Sequence, residues 1–342
     1  MPSPDASATE GSVTDASATD ASATDTAGDY SEGVVIRSTG SWYEVQVGDD
    51  VIASTIRGKF RLEMEDAALT NPVAVGDRVT IQHLKDGTGV IEEVHPRETM
   101  LCRRAAGRRV GMAQIIAANI DFVWIVQSVR LPTPTLGFID RVLVMCERYE
   151  LEAGIILNKM DLLRPKDEAR IENIAAIYGG MGYELMFTSA EQQRGLDALT
   201  EHLSDRVSVV TGPSGVGKTT LLNALEPGLD LRTGEVSEKN QKGRHTTTYA
   251  ARYELSSGGA IVDTPGIREF GVVEMEAWEL AHYFREFLPY IHDCRFPNCT
   301  HDHEPNCAVR DAADAGEIPE ERYVSYLKIL DSVKLGDADV GR

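Results

Sequence analysis

Cysteine is scarce in this chain, and so are lysine and long apolar runs. Only five cysteines occur in 342 residues, three of them within 294–307. So few thiols, so unevenly placed, exclude a disulfide framework and point instead to metal in a reducing compartment. No run of eighteen apolar residues occurs, and no basic start precedes an apolar stretch. Neither a membrane span nor a secretory signal is therefore expected, and a cytoplasmic address follows. Lysines number 9 against 25 arginines, and the formal net charge is −20. Like charge repels phosphate, so any contact with nucleic acid must be local. An acid-rich, lysine-poor surface suits a salt-rich or crowded cytoplasm.

Part of the charge sits in one place. Residues 1–30 carry Asp5, Glu10, Asp15, Asp20, Asp25 and Asp29 with no Lys or Arg, so this stretch holds −6 and the remainder −14. Its Ala, Ser, Thr and Asp repeats cannot bury enough surface to offset their ordering entropy, so a disordered acidic tail is expected.

Beyond the tail the chain is patterned. From Gly33 to Arg97 the runs "VVIRS", "WYEVQV", "VIASTI", "DRVTIQHL" and "GVIEEVH" alternate apolar and polar residues between turn signals. Five short strands in so little chain predict a small β-barrel of the OB type. After the barrel, "IDFVWIV" and "AGIIL" are buried runs separated by a helical pattern over Leu136–Tyr149. The alternation continues through "YELMFTSA", "GLDALTEHL", "RVSVVTG" and "AIVDTPG", which predicts a doubly wound, mostly parallel α/β sheet. The last stretch reads as helical at "AWELAHYFREFLPYI", then cysteine-rich, then helical at "ERYVSYLKIL".

"GPSGVGKT" follows the apolar "VSVV", as a phosphate loop must. In Gly212, Pro213, Ser214, Gly215, Val216 and Gly217 the glycines let backbone N–H groups turn toward phosphate. Lys218 supplies charge, and the Thr219 hydroxyl, followed by Thr220, can ligate Mg²⁺. "NKMD" ends the "AGIIL" strand, at the strand edge where open α/β sheets bind ligands. There Asn158 and Asp161 would face a guanine edge, with Lys159 packed along the base and Met160 between them. "TSA" offers Ser189 and the Ala190 N–H to the guanine oxygen. "DTPG" offers Asp263 to the magnesium shell and the Gly266 N–H to the γ-phosphate.

These four elements normally start with the phosphate loop. Here they run NKMD, TSA, phosphate loop, DTPG, which is a rotation of the order and predicts a circularly permuted GTPase. The segment after DTPG then leads straight toward the cysteine-rich region, so nucleotide state can pass into the C-terminal module.

Ile267 follows Gly266, where many GTPases carry a glutamine that orients the attacking water. Within "NQKGRHTTT", residues 240–248, Thr246 or Thr247 is the expected second magnesium ligand. His245 beside it can reach the water, although a solvent-exposed loop histidine fits equally well. Cys294, Cys299, His301 and Cys307 form a Cys₃His set that closes a tetrahedral shell, as a structural zinc site does; His303 competes with His301 as fourth ligand.

With "IAANID" at 116–121, "GRHTTT" at 243–248 and the zinc spacing added to the pocket motifs, residues 31–335 resemble the RsgA/YjeQ family of circularly permuted small-ribosomal-subunit biogenesis GTPases. Beyond the disordered tail read from composition at 1–30, the resemblance implies an OB-fold barrel at 31–97, a permuted GTPase at 98–273 and a zinc-binding helical domain at 274–342. It further implies GTP hydrolysis late in maturation of the 30S subunit, with binding in the GTP form and departure after hydrolysis. One structural Zn²⁺, Mg²⁺ held with GTP by Thr219 and Thr247, 16S rRNA as partner and a monomeric chain belong to the same expectation. The acidic tail and the strong negative charge depart from the family. Arg103, Arg104, Arg108 and Arg109, with Lys239, Lys242 and Arg244, offer a basic RNA-facing patch, or else solvated loops. A rival reading is a nucleotide-gated binding module whose slow hydrolysis is incidental.

Overall fold

The computed structural model describes residues 29–40, 42–57, 71–105, 112–229, 231, 250–264, 270–273 and 275–335. His245, Thr246, Thr247, Gly266 and Ile267, the basic residues Arg108, Arg109, Lys239, Lys242 and Arg244, and nearly all of the tail lie outside them.

The five expected strands form. They are β1 (Tyr30–Ser38), β2 (Tyr43–Val47), β3 (Asp50–Ile56), β4 (Arg78–His83) and β5 (Gly89–Val94). β1 pairs with β2, β2 with β3, β3 with β5, β5 with β4, and β4 returns to β1, so the sheet closes on itself. Alternation turns Val35, Tyr43, Val45, Val79, Ile81 and Ile91 inward, where they form the barrel's own core.

A hairpin comes next, β6 (Met100–Arg104) against β7 (Ala113–Ala118). The sequence pattern does not disclose it and shows "CRRAAGRR" only as a basic segment, because Arg103 and Arg104 interrupt the apolar alternation. The hairpin is anchored beyond itself: the Arg104 N–H donates to the Gly271 carbonyl at 2.9 Å, and its Nε to the Val272 carbonyl at 3.2 Å.

The α/β unit comprises β8 (Phe122–Ser128), α1 (Leu136–Arg148), β9 (Glu152–Asn158), α2 (Pro165–Gly180), β10 (Glu184–Phe187), α3 (Leu196–Leu203), β11 (Val207–Thr211), α4 (Lys218–Leu225), β12 (Ala251–Glu254) and β13 (Ala260–Asp263). Its strands lie in the order β10-β9-β8-β11-β13-β12, all parallel except β12. β9 needs Gly154, because a Cβ there would lie 2.5 Å from the ring of the fully buried Trp124. β12 also pairs with β1 at Arg37 and Ala251, joining the barrel to the sheet edge.

The C-terminal module corrects one expectation. "AWELAHYFREFLPYI" is not a continuous helix but a series of turns and 3₁₀ segments, Leu280–Tyr283, Arg285–Phe287 and Ile291–Asp293. Phe284 is extended, with φ −114° and ψ 104°, which breaks the ladder, and Pro289 has no N–H to resume it. Apolar contact overrode helical propensity here, for Leu280, Phe284 and Phe287 are all turned into the core. Two helices complete the module, α5 (Ala308–Asp314) and α6 (Glu320–Lys334).

One buried ion network docks this module on the α/β unit. Arg322 of α6 binds Asp140 of α1, and its Nε donates to Glu286 at 2.5 Å; the Tyr178 hydroxyl of α2 donates to the same Asp140 at 2.6 Å. Arg322 and Asp140 are 1% and 0% exposed. Burial alone would lower the affinity of the guanidinium for its proton, but the charges of Asp140 and Glu286 more than reverse this.

Candidate nucleotide pocket and metal centre

The carboxyl ends of β9, β10, β11 and β13 share one edge of the sheet and bring the four sequence elements together. The phosphate loop spans β11 and α4. Gly217 takes φ +95°, and a Cβ on it would lie 2.6 Å from the Asn158 amide nitrogen, so only glycine permits the two loops to approach. Gly212, Pro213, Ser214, Gly215 and Val216 fill the turn before it. Thr219 in the first turn of α4 is partly buried, and Thr220 is exposed.

Lys218 is buried, and its Nζ donates to the carbonyls of Gly212 at 2.8 Å and Pro213 at 3.3 Å. Burial lowers its pKa to about 8, against the opposing pull of Asp263. An ammonium so desolvated is poised for a second anion, and the loop curled around it is shaped for phosphate. Asp263, the last residue of β13, is buried on the same side.

The loop of residues 158–161, expected to read the base, is tied to this cradle. Asn158 is 1% exposed; its amide donates to the Val216 carbonyl at 3.1 Å, and its Oδ1 accepts from the Thr188 hydroxyl at 3.0 Å. Asn158 therefore braces three loops, a role that motif spacing alone did not disclose. Lys159, in the left-handed region at φ +63°, donates from Nζ to the carbonyls of Gly215 and Leu131, each at 2.6 Å. The Met160 N–H is held by the Thr188 carbonyl at 3.1 Å. The Asp161 carboxylate accepts from the Ser189 hydroxyl at 2.5 Å, beside Ala190. Ser189 thereby fixes the carboxylate's orientation.

Cys294, Cys299, His301 and Cys307 place one ligand atom each within 4.8 Å of one another. His301 Nδ1 lies 3.5 Å from Cys294 Sγ and 3.3 Å from Cys307 Sγ, and those two sulfurs are 4.0 Å apart. A tetrahedral zinc with Zn–S ~2.3 Å and Zn–N ~2.0 Å requires edges of about 3.5–3.8 Å, which these separations straddle. His303 lies outside the cluster, exposed and 3.4 Å from Asp302. Burial keeps His301 neutral, its pKa lowered to about 4. Burial and then repulsion from neighbouring thiols push Cys299 up to about 12. Burial raises Cys307 as well, and three thiols gathered with one neutral imidazole are a donor set for a divalent cation. The surrounding loop is held by α6, whose Tyr323 and Tyr326 hydroxyls donate to the carbonyls of His301 and Thr300, both at 2.7 Å.

Residues 94–273 match the family model described as RsgA GTPase, and residues 32–91 match that of the RsgA N-terminal domain. The small ribosomal subunit biogenesis GTPase RsgA of Christiangramia forsetii is 40% identical over 304 residues, covering 88% of this chain and 96% of its own. That of Flavobacterium johnsoniae is 42% identical over 303 residues, covering 87% and 92%. Among solved structures, YjeQ from Thermotoga maritima superposes with a TM-score of 0.68 at 34% identity, over 89% of this chain and 99% of that one. YloQ, described as a circularly permuted GTPase, gives 0.63 at 28% identity, over 91% and 98%. Matched by the family's models over residues 32–91 and 94–273, and alike over most of their length to proteins of that name, the chain belongs to the RsgA GTPase family.

Proposed function

We propose that this chain is a GTP hydrolase acting in late maturation of the 30S ribosomal subunit, which it binds in the GTP form and leaves after hydrolysis. The observation that carries the reading is the single pocket edge at which Lys218, Asp263, Asn158 and Asp161 meet in permuted chain order. The relatives' name, small ribosomal subunit biogenesis GTPase, supports the partner. The units are the barrel at 31–97, the GTPase at 98–273 and the zinc domain at 274–342, after an acidic tail.

In this reading Asp161 accepts from the ring N1–H and exocyclic amine of guanine, Ala190 offers its N–H to the guanine oxygen, and Lys218 holds the β/γ-phosphates. Thr219 and Thr247, with Asp263, would hold Mg²⁺, which would supply neutralising charge beside the phosphates. Gly266 offers its N–H to the γ-phosphate, and His245 orients the water. Cys294, Cys299, His301 and Cys307 hold one structural Zn²⁺. The chain acts as a monomer in the cytoplasm, touching 16S rRNA through its local basic residues.

The test is GTP turnover with and without purified 30S particles. The rival reading, a nucleotide-gated binding module, draws on Ile267 standing where a glutamine is common, and it expects no change in turnover.

Two further outcomes examine the pocket itself. Asp161→Asn removes the acceptor for guanine's two donors, so GTP affinity is expected to fall roughly 10–100-fold, with xanthine nucleotides gaining. Nucleotide titration of the variant checks this, and unchanged GTP affinity would remove Asp161 as the base reader. The second outcome concerns pH. Only charged Lys218 pairs with phosphate, and in the free protein its pKa is lowered to about 8. GTP affinity therefore declines as pH rises through that value, by at most about tenfold per unit, until the pKa of the bound form is reached. A flat titration from roughly pH 7 to 9 would contradict the phosphate role.

A further inference from the structure

We propose that Arg170 of α2 is a positioning residue for the base side of the nucleotide pocket: it fixes the loop after β8 whose backbone holds the Lys159 ammonium. The proposal rests on the reading of Lys159 as the side chain packed along guanine.

The loop of residues 129–135 runs from β8 to α1, and it starts past the end of the ladder. β8 and β9 pair as far as Ser128 and Asn158. Val129, fully buried, still donates its N–H to the Asn158 carbonyl at 2.9 Å, but its own carbonyl is met by a side chain, Arg170 Nη2, at 3.0 Å. A buried carbonyl needs a donor, and Arg170 supplies it. Arg170 is itself aimed by the buried Asp167, whose Oδ1 lies 3.3 Å from the same nitrogen and whose Oδ2 accepts from Arg164 Nε at 2.7 Å. The first turns of α2 thus grip the start of the loop.

Two residues on, the loop meets the pocket. The Leu131 carbonyl accepts from Lys159 Nζ at 2.6 Å, and the same ammonium donates to the Gly215 carbonyl of the phosphate loop, also at 2.6 Å. Lys159 therefore spans two loops, and both carbonyls decide where its stem lies. The Leu131 carbonyl depends on an uncommon backbone, left-handed at φ +56°, which costs a leucine free energy and persists only where neighbours hold it. Three ties do so. Arg170 holds Val129 before it, Ser128 Oγ donates to the Pro132 carbonyl after it at 2.6 Å, and the Thr135 N–H at the head of α1 donates to the buried Gln127 Oε1 at 3.1 Å. Ser128 and Gln127 belong to β8 itself, whereas Arg170 ties the loop to a separate element. Cutting that tie lets the Leu131 carbonyl draw away from Lys159 and loosens the wall along the base.

The experiment is GTP titration, together with single-turnover hydrolysis of the bound nucleotide, for the full chain and for Arg170→Ala, Arg170→Met, Lys159→Ala and the double variant Arg170→Ala with Lys159→Ala. Arg170→Ala and Arg170→Met are each expected to weaken GTP binding about 3–10-fold while the rate from bound GTP stays within about twofold of the parent. Lys159→Ala should weaken binding at least as much. In the double variant Arg170→Ala should add nothing to the loss from Lys159→Ala, because the loop then has no ammonium to hold. Losses that multiply overturn the proposal, since Arg170 would act elsewhere than through Lys159. Parental affinity in Arg170→Met overturns it too, by assigning the role to the packed stem instead of the hydrogen bond. So does parental affinity in both Arg170 variants while Lys159→Ala is impaired. An unimpaired Lys159→Ala would instead remove the underlying reading of Lys159 as the wall along the base.

Discussion

Purified small ribosomal subunits are expected to raise GTP turnover by about 10²–10⁴-fold, which corresponds to ~3–5 kcal/mol off the barrier. The groups proposed to bind nucleotide are already ordered by the chain itself: Lys218 is wrapped by its loop, Asn158 braces that loop to the loop of Asp161, and Asp263 is buried at the end of β13. What the sequence withholds is an orienting side chain after Gly266, because Ile267 can neither donate nor accept. Binding without water positioning gives tight nucleotide association and slow chemistry. Docking would supply the missing geometry by bringing His245 into line, with nearby Lys239, Lys242 and Arg244 meeting RNA phosphates. His245→Ala should then lose most of the stimulated rate while retaining GTP-dependent association with the subunit, measured by co-sedimentation and turnover together. A variant stimulated as fully as the parent would make His245 a bystander.

The pocket was legible in the sequence because its chemistry demands particular residues at fixed offsets. A phosphate cradle needs Gly212, Gly217 and Lys218 after a buried strand, and a tetrahedral metal site needs four donors on a short loop. The barrel was legible because alternation survives in all five strands. The β6–β7 hairpin was not, since its arms carry Arg103 and Arg104 and its partner at Gly271 lies far off in sequence. Residues 277–291 misled for a related reason: their apolar spacing suits a helix, but tertiary contacts of Phe284 and Phe287 decide the backbone. Asn158 shows a third limit. Its motif names a base contact, whereas its bonds to Val216 and Thr188 emerge only when three loops from three strands are brought together.

The permuted order gives these long-range contacts their importance. Among the described residues, none after Asp263 returns to the sheet. Residues 270–273 lie against the hairpin, Phe270 packs on Phe138 of α1 with ring centroids 6.2 Å apart, and the module comes directly after. Helix α1 therefore meets both the segment leaving the pocket and, through Asp140, the module's docking residue Arg322.

Arg322→Ala is expected to destabilise the protein by about 3–5 kcal/mol, because truncating one partner leaves Asp140 and Glu286 as uncompensated charges in a closed interface. The same helix carries Tyr323 and Tyr326, which hold the metal loop, so loosening α6 should also expose the thiols of Cys294, Cys299 and Cys307. Denaturant unfolding and thiol reactivity of the zinc-loaded full chain read the two effects separately. Lost packing alone would not explain such a cost, and a second variant distinguishes charge from volume. Replacing the network as a whole, with Arg322→Met, Asp140→Leu, Glu286→Met and Tyr178→Phe, removes every buried charge and the Tyr178 donor together. That variant should recover most of the lost stability, since well-packed apolar groups commonly match a buried ion network. A loss below about 1 kcal/mol in Arg322→Ala would mean that water reaches the acids and that the module is held by its apolar contacts instead. Nucleotide affinity should change little in either variant, because Lys218 and Asp161 share no hydrogen bond with the network. Loss of subunit-stimulated turnover in Arg322→Ala at unchanged GTP affinity would then place the coupling between zinc module and pocket in this network.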